Sequence, residues 1–127
     1  MNEFESVTWI AVIAGTIVSF LVGWAWYSEK LFGKKWAEGS GVDLGNASDM
    51  PVAAMVTQLI GLFVLALVVG ITAQFEMLIT AVLAILAVAV FAYSMGAFAR
   101  KSSYALLVDF FYIIVAGVVM IGFQAIF

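Results

Sequence analysis

The chain has 127 residues, 66% of them hydrophobic and 10% charged, with a formal net charge of −3. Soluble domains carry roughly a quarter charged residues, so a chain of mean hydropathy +1.20 has too little polar surface to face water. The absence of both Cys and His excludes disulfides, thiol and imidazole catalysis and most zinc, haem or copper sites, and no basic stripe is present to neutralise a nucleic acid.

Met1 to Ser6 carries Glu3 and Glu5 and no basic residue, the reverse of a secretory leader, so the first apolar stretch is expected to be a retained span. That span runs from about Val7 to Tyr27, enough at about 1.5 Å per residue to cross a hydrocarbon core of about 30 Å. Trp24, Trp26 and Tyr27 close it as an aromatic cluster suited to the headgroup layer. Glu29 to Lys35 is expected to be a short amphipathic interfacial piece. Leu31 and Phe32 dip into lipid, Lys30, Lys34 and Lys35 face anionic headgroups, and Trp36 anchors the far end.

A polar loop follows over about residues 37–49, rich in Gly, Ser, Asn and Asp from Gly39 to Asp49. The Gly39-Ser40-Gly41 stretch supplies loop flexibility and has no His to make it a nucleophile elbow. Ser48 or Asp49 can cap the next helix, with Pro51 in its first turn, where a missing N–H costs nothing. The second span covers about Met50 to Thr72 and the third about Met77 to Ala99. The short turn between them, in which Glu76 has no evident role, makes an antiparallel hairpin. The fourth covers about Ser103 to Phe127. The predicted fold is a single all-α domain, a transmembrane four-helix bundle of up-down topology with one interfacial segment after the first helix.

All five basic residues lie in two connections: Lys30, Lys34 and Lys35 in one, Arg100 and Lys101 in the other. The positive-inside rule puts both connections in the cytoplasm and both termini outside it, in a cytoplasmic or inner membrane. Within lipid, helices associate through close backbone approach and polar contacts. Ala11, Gly15, Ser19 and Gly23 recur every four residues along one ridge, with Ala84, Ala92 and Gly96 on the third span and Gly117 and Ala125 on the fourth. Such ridges pack one protomer together or join copies into a homo-oligomer.

Hydrogen-bonding side chains concentrate in the halves of the spans nearest the basic connections. Asp109 is the one ionisable group set well inside a span, roughly 9 Å along the axis from Ser103. A carboxylate at that depth needs protein or water around it. Gln58, Tyr112, Tyr93, Ser94 and Tyr27 are its candidate companions in a polar cavity, with a snorkelling Lys or Arg as another partner. Asp109 then either locks helices by hydrogen bonding or handles a proton or cation. A lone carboxylate cannot form an aspartyl dyad, so neither enzymatic activity nor a cofactor is expected.

Gly23 to Trp36 reads Gly-Trp-Ala-Trp-Tyr-Ser-Glu-Lys-Leu-Phe-Gly-Lys-Lys-Trp. With Gly23, Trp26, Tyr27, Ser28, Phe32, Gly33, Lys34 and Trp36, it resembles the characteristic stretch of the DUF1761 family of small membrane proteins. The last span, with Asp109, Tyr112 and Gly117, is similar to that family's C-terminal helix. The family commonly has proline after the Tyr-Ser pair, where this chain has Glu29. The resemblance implies four spans and no particular chemistry, and suggests that the Trp-Tyr-Ser and Phe-Gly-Lys elements shape the cytoplasmic mouth of the bundle.

The leading functional expectation is a non-enzymatic bundle that self-associates or binds another membrane protein within the lipid bilayer. The alternative is a small oligomeric channel or transporter for a proton, cation or small solute using Asp109. A third is binding of lipid or a hydrophobic ligand at the inner leaflet.

Overall fold

The computed structural model describes residues 3–42 and 51–127. These form five α-helices: α1 (Trp9–Trp26), α2 (Gly33–Ser40), α3 (Val52–Gln74), α4 (Leu78–Phe98) and α5 (Ser103–Ile126). All but α2 are long and apolar enough to cross a membrane. The described residues are all-helical, and the chain is an integral membrane protein of four spans, with α2 in the connection between the first and second.

The span ends fall within two residues of the hydropathy limits, and two local expectations are corrected. Pro51 is not inside the first turn of α3 but one position before it, with φ −62° and ψ 120°, and its carbonyl accepts from the N–H of Met55. The proposed caps Ser48 and Asp49 lie outside the described residues. Nor does the interfacial piece occupy Glu29 to Lys35. Residues 29–32 are turns and the helix runs Gly33–Ser40, into the stretch expected to be loop. Two glycines and a serine in eight residues give α2 poor intrinsic propensity, so its stability comes from docking. Its small and aromatic face, Gly33, Trp36 and Ala37, turns toward the bundle instead of into lipid. Phe32 lies against Trp26 at 4.7 Å between ring centroids, while Leu31 stays exposed.

α5 is the central element, packing on each of the other four helices. Its contact with α1 is a regular antiparallel register. Gly15 lies against Met120, the Ser19 hydroxyl donates to the Ala116 carbonyl at 3.3 Å, and Gly23 lies under the ring of Tyr112. Each four-residue step along α1 is thus met by a four-residue step back along α5. The Ala11-Gly15-Ser19-Gly23 ridge therefore packs inside the protomer, where the absence of bulky side chains lets the backbones approach. On α4 the buried stripe is Ala81, Ile85 and Ala89, with Gly96 further along. Ala84 and Ala92 are half-buried beside it, and Ala125 on α5 is exposed. Ile85 fills the space over Gly117, and Met120, Val12, Val69 and Ala66 complete the core.

Polar groups inside the spans follow the logic of a solvent without water. The hydroxyls of Thr16, Thr57 and Thr72 donate back to the carbonyls of Val12, Ala53 and Val68 one turn earlier. Three helices end alike. Val42, Met77 and Lys101 donate N–H groups to the carbonyls of Ala37, Thr72 and Gly96, which closes a left-handed residue in each last turn. That residue is Gly41 at φ 72° after α2, Glu76 at φ 55° after α3 and Arg100 at φ 61° after α4.

A carboxylate cap at the basic end of the bundle

The two connections that carry every basic residue meet at one end. The Lys35 ammonium sits 4.9 Å over the ring of Tyr104, and that of Lys101 sits 5.3 Å over the ring of Trp36. α2 lies across this end, held to the start of α5. The Ser102 N–H donates to the Gly39 carbonyl at 2.9 Å, and the Ser102 hydroxyl caps α5 by accepting from the Ala105 N–H at 3.1 Å. A β-carbon on Gly39 would stand 2.0 Å from the Ser102 hydroxyl oxygen. Only glycine allows that approach.

Asp109 is the hub beneath α2. Its Oδ1 accepts from the Tyr27 hydroxyl at 2.5 Å and from the Trp36 indole N–H at 2.9 Å. Its Oδ2 pairs with the Lys101 ammonium at 2.9 Å, the side chains being 15% and 24% exposed. Three donors from three parts of the chain thus converge on one carboxylate. The aromatic rings insulate the group: Tyr27 stands edge-on to Trp36 at 4.9 Å and to Tyr112 at 5.6 Å. Low local dielectric strengthens each of these bonds and makes each costly to leave unmade.

Most of the motif residues have a part in this cap, Lys34 being the exception. Trp26 turns inward, its indole N–H donating to the Val108 carbonyl at 3.0 Å, whereas Trp24 points outward. Ser28 closes the turn after α1: its hydroxyl donates to Ala25, and its carbonyl accepts from the N–H groups of Leu31 and Gly33. Gly33 is wedged against the backbone of that turn, and a β-carbon there would sit 1.9 Å from the Tyr27 carbonyl oxygen. Lys34 is exposed, as are Lys30 and Lys35.

Of the residues predicted to share a polar cavity, Asp109, Tyr27, Tyr112 and Gln58 come together. The Tyr112 hydroxyl donates to the Ser19 carbonyl at 2.9 Å and accepts from the Gln58 amide at 3.3 Å. Tyr93 stands apart. It meets Phe110 edge-on at 6.5 Å, on an apolar groove with Val90, Leu107 and Phe111. Ser94 makes no hydrogen bond to the other four. The snorkelling Lys or Arg expected beside Asp109 is Lys101, two residues before α5 and within reach of a carboxylate two turns into that helix. Gly39, expected to be loop flexibility, is instead a helical contact, and Ser102 carried no signal in the sequence. For a metal the cap offers one carboxylate already engaged, and no grouping of three or more carboxylates is brought together among the described residues.

Neither a curated protein nor a solved structure matches the chain. A family model described as "Protein of unknown function (DUF1761)" matches residues 10–125, the four spans and the cap included. With that match covering nearly its whole length, the chain belongs to the DUF1761 family.

Proposed function

We propose that this protein is a non-enzymatic membrane bundle that works by helix–helix association, with copies of itself or with another membrane protein, and that the cap holds its basic end rigid. The observation that supports this reading is the occupancy of Asp109. A proton or cation carrier needs a carboxylate that trades protein ligands for water and ion, and this one is held by a tyrosine, a tryptophan and a lysine at once. Groups that satisfy one another lock helices in place and leave nothing for a solute to replace. In the same reading the basic end faces the cytoplasm and both termini lie outside it, which a fluorescent or phosphatase fusion at either end tests.

Purified protein in proteoliposomes loaded with a pH-sensitive dye is expected to carry no proton flux, with or without Asp109→Asn. Flux in the native protein that disappears in Asp109→Asn overturns the proposal in favour of transport.

A further inference from the structure

The first half of α3 differs from every other part of the spans. From Val52 to Gly61 every residue is exposed except Met55, which is half-buried, while the buried residues of α3 begin at Leu62. Lipid satisfies an apolar face fully, so the exposed side chains of α4 call for no partner. α3 is different because of Gln58. The Thr57 hydroxyl is closed onto carbonyls of its own helix, but Gln58 makes only a single bond among the described residues, the 3.3 Å one from its amide nitrogen to Tyr112. It stands six residues into the helix, about 9 Å along the axis, with its side chain exposed where hydrocarbon offers neither donor nor acceptor.

We infer that the first half of α3 is where a second copy of this chain packs, with Gln58 paired to Gln58 of that copy. This rests on the association reading above and assigns it a surface. Copies inserted in one direction are related by an axis along the bilayer normal, so a residue on the shared face meets its own counterpart at equal depth. A carboxamide both donates and accepts, which makes it complementary to itself, so a reciprocal pair satisfies both copies at once. Gly61, one turn further along the same face, has nothing within 4 Å of where a β-carbon would stand. That gap lets two helices approach closely beside the amide pair.

The absence of native Cys makes the test clean. Single variants Ala54→Cys and Gly61→Cys, oxidised in native membranes, are expected to give disulfide-linked dimers, and Val118→Cys, exposed on α5, is not. Gly61→Leu has room within the protomer, so it is expected to keep the helical spectrum and lose the dimer. Gln58→Leu is expected to lower the dimerisation constant about threefold to tenfold. A dimer that survives Gly61→Leu, or cross-linking as strong at Val118→Cys as at Ala54→Cys, overturns the inference. Oligomers without cross-links through α3 defeat this surface and spare the association reading, whereas flux lost in Asp109→Asn defeats that reading whatever the cross-links report.

Discussion

Truncating Asp109 to alanine removes one acceptor from three donors. The Tyr27 hydroxyl, the Trp36 indole and the Lys101 ammonium are all left facing an apolar gap. Breaking a buried ion pair by deleting one partner costs about 3–5 kcal/mol, because the surviving charge is stranded. Here Lys101 is 24% exposed and lies at the end of the bundle, so its ammonium can swing toward headgroups. That relief places Asp109→Ala near the lower limit, about 3 kcal/mol. Asp109→Asn keeps an oxygen for Tyr27 and Trp36 but turns its amide NH2 toward the Lys101 ammonium, which loses its acceptor and swings out toward headgroups. About 1–2 kcal/mol is therefore expected, with the order Ala above Asn. The assay is reversible unfolding in mixed micelles by titration with a denaturing detergent, followed by circular dichroism. A double-mutant cycle with Lys101→Met is expected to show coupling of about 1–3 kcal/mol. If both Asp109 variants unfold within about 0.5 kcal/mol of the native protein, the distance expected of a surface change, the carboxylate does not hold the cap together.

Three further outcomes follow from single contacts. Gly33→Ala drives a β-carbon into the Tyr27 carbonyl, a backbone atom that cannot rotate away. α2 is expected to undock, seen as faster amide exchange over residues 33–40 and a red-shifted tryptophan emission, with helicity of the spans retained. Glu76→Gly relieves a left-handed residue at φ 55° and is expected to raise stability by about 0.5–1 kcal/mol in the same titration, since a β-carbon there costs about 1–2 kcal/mol and glycine returns part of that as chain entropy. Ser102→Ala removes the cap of α5 and is expected to cost about 1 kcal/mol, whereas Ser103→Ala, one position later, leaves the cap in place and serves as the control.

Reading the chain residue by residue recovers the spans well because hydropathy over a twenty-residue window needs no tertiary information. The partners of Asp109 are another matter. Tyr27 and Trp36 lie 82 and 73 positions away along the chain, and only the antiparallel register of α1 on α5 and the docking of α2 across α5 bring them near. Trp24 and Trp26 make the same point. Both read as interfacial aromatics, yet two residues on a helix point about 200° apart, so one faces outward and the other donates into α5.

α2 was the element least legible in advance. Its composition, Gly-Lys-Lys-Trp-Ala-Glu-Gly-Ser, is that of a loop, and it is helical because Trp36, Ala37 and Gly39 find a surface on α5 and its flanks. The glycine at 39 reads as flexibility and is a contact that tolerates no side chain. The amino-acid order alone settled which stretches lie in lipid and that every basic residue flanks them in two connections, since burial in hydrocarbon is decided locally by side-chain transfer energy. Tertiary structure alone decided that the single intramembrane carboxylate is closed off by three donors, and that the small-residue ridge of α1 is spent inside the protomer, because both depend on which helices touch and in what register.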